Sequence, residues 1–368
     1  MTAMPPTSPV SNEAMMTTLS VLLLSQDEVA RHSSLATELR SLTAEEFGAL
    51  LALAHRNHVV VRAMEVYCEI MVAAQDEPRA EWAATAIAEE RSRIAQATSF
   101  LRIICDAFEE EKLDLTVIKS LDHWPDFGSD IDLYSNASAE DVCSLMERRF
   151  GAQLDSRSWG DRLASKWNFL IPGLPESVEV HAGRLGQTGE QLVLASNLPG
   201  RARVLEFDGQ TFRVASVSDR LMISTLQRMY RHFYFRLCDI IDSAMLVESG
   251  AIDYDDLKSS AEAAGIWEGV ATYLVLVSDY VQRFRGTGLA LPAVVKEAAR
   301  FDGTVMHFGG GFLRVPIMPQ SVRLYRSQFT GLIRRRELES SARLGLLPAL
   351  ATAAAIGYKI TGSDKGIW

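Results

Sequence analysis

Two short stretches of this chain carry carboxylates in a pattern that chemistry can use. In Ser129-Asp130-Ile131-Asp132-Leu133 the residues are β-prone and alternate. Side chains alternate across a strand, so Asp130 and Asp132 project from one face while Ile131 and Leu133 enter a core. Two like charges side by side cost free energy unless a cation, Arg or Lys neutralises them, and hard oxygen donors favour Mg²⁺ or Mn²⁺. An exposed edge strand with solvated aspartates is the plain alternative, and the D-x-D pattern alone does not separate the two. In Ser177-Val-Glu-Val-His181 the valines point inward, and Glu179 and His181 share the opposite face. If this strand lies beside the first, Asp130, Asp132 and Glu179 hold one or two divalent ions that bridge nucleotide phosphates and lower the pKa of an attacking hydroxyl, which is the chemistry of phosphoryl or nucleotidyl transfer. Periodicity does not show that the strands are neighbours. The enzymatic reading fails if Glu179 lies far from the aspartates or if a bulky basic group fills the space between them.

Several kinds of element must position these residues. From Leu35 to about Glu111 apolar residues recur at spacings of three and four, which predicts helices, and Thr43 followed by Glu45 and Glu46 looks like a capped helix start. After the charged run Glu109–Lys112 the period falls to two at 115–119 and 129–134. It returns to helical at 139–150, and strands follow at 166–171 and 177–181. Segments 203–207 and 211–214 flank Asp208-Gly209-Gln210, a hairpin signal. From Ser218 one long helix is predicted to about Glu248, with further helices through Arg285 and again from Ser321, and Gly309-Gly-Gly311 marks a turn. On that long helix Arg228, His232, Arg236 and Asp239 form a polar stripe. It either faces a cleft or, with Arg236 and Asp239 as an i,i+3 ion pair, is simply solvated.

The segment Gly128-Ser-Asp-Ile-Asp-Leu133 resembles the signature of the DNA polymerase beta-like nucleotidyltransferase superfamily. More narrowly, the chain resembles a bacterial family of largely uncharacterised nucleotidyltransferases whose catalytic domain is embedded between helical regions. The resemblance rests on the leading helices, Val117-Ile-Lys119, Val178-Glu-Val-His181 and the later helix with His232, Arg236-Leu237, Asp239 and Asp242, and it spans about Leu19 to Leu289. It implies an α+β fold: a nucleotidyltransferase core with a mixed sheet over 113–216, flanked by a helical region at 19–112 and another at 217–368, after a flexible leader at 1–18. It also implies metal binding by Asp130, Asp132 and Glu179, with Glu179 helping to deprotonate the acceptor. Lys119, Ser120 and Ser129 would hold phosphates, and His181, His232, Arg236 and Asp239 would border the nucleotide or acceptor pocket. Where the narrower family has Lys-Gly this chain has Lys119-Ser120, and the segment to Asp130 is short enough to cut the usual intervening helix back to a turn.

Composition narrows the substrate. The chain has 368 residues and a formal net charge of −10, so its surface repels polyanions and disfavours long nucleic acid as acceptor. Cys68, Cys105, Cys143 and Cys238 show no paired spacing, which fits a reducing cytoplasm, and Cys238 reads as a small core residue. The stretch before Leu19 has no Lys or Arg, unlike a secretory signal, and the apolar run Leu344–Tyr358 is shorter than a membrane span and reads as a packed tail. His55 and His58 read as surface residues, because no carboxylate accompanies them at helical spacing. The cluster of arginines from Arg323 to Arg336 reads as a solvated helix face. The expected activity is Mg²⁺- or Mn²⁺-dependent transfer of a nucleoside monophosphate from an NTP to a small molecule, peptide or protein. The resemblance also allows a modified peptide or natural product as substrate. Two alternatives are transfer of a sugar or phosphate from an activated nucleotide donor, and a noncatalytic nucleotide-sensing or scaffold protein.

Overall fold

The computed structural model describes residues 11–25, 28–207 and 209–361. The leader expected over 1–18 lies partly outside them, and helix α1 (Asn12–Leu24) already begins within it, its first turn capped by the Ser11 hydroxyl, which accepts the Ala14 N–H. Helices α2 (Glu28–Ser41), α3 (Ala44–Arg56), α4 (Val60–Ala73) and the long α5 (Glu77–Glu110) complete the leading helical region. Thr43 starts α3 with a reciprocal capping box: its hydroxyl accepts the Glu46 N–H at 3.2 Å, and the Glu46 carboxylate accepts the Thr43 N–H at 2.9 Å.

The chain then enters a seven-stranded mixed sheet. Its strands are β1 (Thr116–Val117), β2 (Asp130–Ser135), β3 (Gln153–Leu154), β4 (Lys166–Leu170), β5 (Ser177–Ala182), β6 (Arg203–Phe207) and β7 (Gln210–Val214), in spatial order β3-β4-β5-β2-β1-β7-β6. Interleaved helices are α6 (Ala139–Phe150), α7 (Trp159–Leu163) and α8 (Leu192–Arg201). Strands β2 and β5 are parallel central neighbours, while β4 and β1 flank them antiparallel. The alternation predicted for β2 and β5 holds. Ile131, Leu133, Val178 and Val180 are fully buried in one core with Leu101, Ile104 and Phe108 of α5 and Val142, Leu145 and Met146 of α6. Burying such side chains stabilises the fold by about 1.5–3 kcal/mol each, so the register of β2 and β5 is strongly fixed. Their acidic residues consequently share the other face.

The single helix expected from Ser218 to Glu248 is broken. α9 (Val217–Thr225) passes into a π-helical segment, Leu226–His232, and Phe233 adopts φ 55°. β8 (Tyr234–Phe235) follows, and α10 (Leu237–Glu248) starts afresh. Arg228 explains the interruption: it is 1% exposed, and its Nε contacts the Asp239 Oδ2 at 2.7 Å, so the backbone must fold back to bring the two together. The polar stripe therefore does not lie along one helix.

Helices α11 (Tyr254–Ala264), α12 (Trp267–Arg285) and α13 (Ala293–Ala298) come next. The Gly309–Gly311 run turns between β9 (His307–Gly309) and β10 (Phe312–Arg314), with Gly310 and Gly311 at φ 64° and 85°, and β10 pairs with β8 to form a small second sheet. Leading and trailing helices share one hydrophobic core, and a buried hydrogen bond of 2.7 Å joins Ser20 on α1 to Tyr280 on α12. The chain closes with α14 (Val322–Arg334), α15 (Leu338–Gly345) and α16 (Leu347–Thr361). Arg323, Arg326 and Arg334 to Arg336 are exposed, as expected of a solvated face. The tail is less packed than expected, since Ile356 and Ile360 on α16 are exposed. Among the described residues no helix is long and apolar enough to cross a membrane.

Candidate active site

Parallel pairing of β2 with β5 sets Asp132 opposite Glu179 and Asp130 opposite Ser177. The two carboxylate strands are neighbours, and Asp130, Asp132 and Glu179 occupy one face. Around them the structure adds cations. The Lys119 ammonium, just beyond β1, lies 2.5 Å from the Asp132 Oδ1. Lys166 on β4 reaches the Glu179 Oε2 at 2.7 Å and Asp161 at 3.3 Å, and the His181 Nε2 meets the Glu179 Oε1 at 2.8 Å. Of the two requirements set by the sequence, adjacency is met; the lysines that reach the face each rest on a single one of the three acids, Lys119 on Asp132 and Lys166 on Glu179, and form no ion pair that bridges them. The reason is electrostatic: carboxylates held on a buried strand face draw the nearest long, flexible cations onto themselves.

The charges do not balance. Asp130, Asp132 and Glu179 face Lys119 and Lys166, and Lys166 is shared with Asp161. Burial opposes charge on Glu179, but Lys119, the His181 hydrogen bond and Lys166 outweigh it and hold this carboxyl well below the usual range. Asp132 is pushed up to about 6, chiefly by burial, with Glu179 and Asp130 adding to the rise against Lys119. Asp130 is raised as well, by burial and then by Glu179. Burial lowers the pKa of His181 and keeps it neutral, so Nε2–H donates to Glu179, and the buried Nδ1, which has no hydrogen-bond partner, is left as an acceptor.

Hard oxygen donors suit Mg²⁺ or Mn²⁺, and Asp130 and Asp132 offer them. Glu179 has both oxygens engaged, and the three acids do not close into a set of ligand atoms within 4.8 Å of one another; among the described residues the one such set is His58, His123 and Cys238. Beside the carboxylates lies a cavity of about 50 Å³, lined by Lys119, His181, Gly186, Tyr230 and Arg231 among others.

The remaining expected residues divide. His232 packs against Tyr234, and its pKa is held well below the usual value by burial and then by Arg231, Arg228 and Lys119, which puts it within electrostatic reach of the carboxylate face. The Arg236 Nε is buried without a hydrogen-bond partner, and its charge bears on both His58 and His232. Ser129 is exposed and donates to the Asp130 Oδ2 at 3.2 Å. Ser120 turns away from a phosphate role: it is buried, and its hydroxyl accepts the Asp132 N–H at 2.7 Å. Asp239 is committed to Arg228 and to the Arg236 N–H, which pins the start of α10. The shortened segment between Lys119 and Asp130 is a turn without a helix. Lys166 was not singled out by its sequence. The period-two signal that places Glu179 also puts Lys166 opposite His181, on the same face.

Comparison with protein-family models, with characterised proteins and with solved structures finds no match. The chemistry of the site therefore rests on its own geometry.

Proposed function

We propose that this chain is a metal-dependent nucleotidyltransferase, moving a nucleoside monophosphate from an NTP to a small-molecule, peptide or protein acceptor with release of pyrophosphate. One observation carries the reading: Asp132 and Glu179 stand opposite each other on adjacent parallel strands, with Asp130 beside them and more carboxylate than lysine on the face. Asp130 and Asp132 would hold the metal. A bound Mg²⁺ would neutralise the phosphates and lower the pKa of the acceptor hydroxyl. Glu179 stays ionised and is oriented by Lys166 and His181, which suits it to take the acceptor proton. Lys119 must leave Asp132 for the triphosphate, as a compact cation on a flexible stem can. The net charge of −10 favours an acceptor other than long nucleic acid.

The test is incubation with Mg²⁺, each NTP and a panel of acceptors, read by product mass. We expect a product heavier by one nucleotide, reduced at least about 10²–10³-fold in the double variant Asp130→Asn/Asp132→Asn. Equal product from both proteins rejects the chemistry.

A noncatalytic nucleotide sensor is the second reading. It is favoured by the Lys119–Asp132 and Lys166–Glu179 pairs that close the face, and by a neighbouring cavity of about 50 Å³, well short of a usual ligand pocket. Calorimetry distinguishes the two readings, since tight Mg²⁺–NTP binding without turnover supports the sensor.

A further inference from the structure

Three segments far apart in sequence bring soft donors together away from the carboxylate face. His58 lies in the connection between α3 and α4, His123 in the turn between β1 and β2, and Cys238 in the first turn of α10. One ring nitrogen of each histidine and the Cys238 Sγ all lie within 4.8 Å of one another, and the His123 Nε2 is 4.0 Å from the sulfur. The histidine rings meet edge to face at 5.9 Å. Neither the surface position expected for His58 nor a purely packing role for Cys238 accounts for this, since His58 is 8% exposed and Cys238 fully buried.

We propose that His58, His123 and Cys238 form a zinc site, independent of the carboxylate site, with the fourth position left to solvent. Tetrahedral Zn²⁺ takes nitrogen at about 2.0–2.1 Å and sulfur at about 2.3 Å, which sets its ligand atoms roughly 3.3–3.8 Å apart, so the observed cluster needs only a small contraction. One thiolate and two imidazoles form a donor set that selects zinc over Mg²⁺. Two further observations point to a ligand. The Nδ1 of His58 is buried with no hydrogen-bond partner. The other nitrogen of His123 is already oriented, its Nδ1 lying 2.5 Å from the Asp242 Oδ2. Arg62 fixes that carboxylate in turn, with Nη1 at 2.8 Å from Oδ1. A histidine ligand whose second nitrogen is held by an anchored carboxylate is the usual outer shell of a zinc site. Asp242 stands one helical turn after Cys238, on the same side of α10.

A metal can reach the site. His58 lines a cleft of about 300 Å³ together with His55, Glu90, Arg93 and Glu176. On binding, Zn²⁺ takes the place of the Cys238 thiol proton and of the proton on the His123 Nε2, and both pass to solvent. The bound ion would clip the turn carrying His123, which leads into β2 and Asp130, to α10 and to the start of α4.

The full-length protein is stripped with chelator and dialysed against Zn²⁺ in excess Mg²⁺. We expect one Zn²⁺ retained per chain and an X-ray absorption shell of one sulfur and two imidazole nitrogens, a readout on wild type that needs no variant to fold. With Co²⁺, a sulfur-to-cobalt charge-transfer band is expected. It disappears in Cys238→Ser and persists in Asp130→Asn/Asp132→Asn, while Asp242→Asn weakens binding by about 10–100-fold. No retained zinc, an all-oxygen shell, or a sulfur band that survives Cys238→Ser would overturn the site.

Discussion

The carboxylate face and the His58–His123–Cys238 pocket are joined by a single turn, Lys119 standing at its start and His123 near its middle, yet they handle charge in opposite ways. On the carboxylate face the acids point inward and are met by lysines, whose single ammonium groups rest on individual oxygens. In the pocket the donors are a thiol and imidazoles, and the acids stand one layer out. There Arg62 spans Asp126 through Nε at 2.8 Å and Asp242 through Nη1 at 2.8 Å, and donates its Nη2 to the His123 carbonyl at 3.1 Å. Asp126 in turn accepts the Val61 N–H at 2.6 Å in the first turn of α4. A guanidinium forked between two buried acids is scaffold, whereas an ammonium on a flexible stem is an exchangeable counter-ion. The difference marks the first region as a place where cations change over, and the second as a place where geometry is held.

Removing one cation from each region puts that contrast at risk. Arg62→Met leaves Asp126 and Asp242 buried without their partner and should cost about 3–5 kcal/mol in urea unfolding. Lys119→Met removes the cation from a carboxyl already pushed up to about 6, which can take a proton in its place, and should therefore cost clearly less than Arg62→Met. Equal costs would dissolve the distinction. Lys119→Met also sharpens it: with the competing ammonium gone, calorimetry should show Mn²⁺ binding about tenfold tighter, equivalent to ~1.4 kcal/mol, while nucleotidyl transfer falls because the phosphates lose their partner. Unchanged Mn²⁺ affinity would mean that Lys119 and the ion do not share a place.

What the sequence discloses about these regions follows the range of the forces involved. Strands β2 and β5 are legible because alternation of Ile131, Leu133, Val178 and Val180 is a local consequence of burying one sheet face, and it carries Asp130, Asp132 and Glu179 to the other. The Thr43 cap and the 139–150 helix are equally local. The break at Phe233 is not, because Leu226–His232 continues a helical apolar period and only the buried Arg228–Asp239 contact reveals why the backbone turns. Nor is the metal-ligand pocket: His58, His123 and Cys238 come from three separate segments and no spacing rule joins them. Cys238 and Asp242 at i,i+4 were the one readable fragment of it. Lys119 was legible as a cation near the aspartates but not as their partner, since whether it meets a phosphate or a carboxylate is decided by the register of β1 against β2.

The smallest expected effect is the share of the pH dependence that Asp132 carries. An acid whose pKa is higher in the folded chain than in the unfolded one holds its proton more tightly when folded. Acidification through that value therefore stabilises the fold, until the unfolded carboxyl also takes a proton near ~3.9. Asp132, pushed up to about 6 by burial and by Glu179 and Asp130, should thus add stability as pH falls from 7 to 5, against His58, His181 and His232, whose lowered pKa values take stability away over the same range. Its share is about 1 kcal/mol, read as the part of the shift in urea midpoint that Asp132→Asn removes. Glu179 works the other way. Its depressed pKa gives stability that is complete above the ordinary glutamate value and is lost only as pH falls through the lower folded one, so it leaves the pH 5–7 window flat. Saturating Mn²⁺ should abolish the Asp132 effect, because a divalent cation favours the ionised carboxylate. If Asp132→Asn removes none of the pH 5–7 shift, or if Mn²⁺ leaves the part that Asp132 carries untouched, the pairing of Asp132 with a metal loses its electrostatic basis.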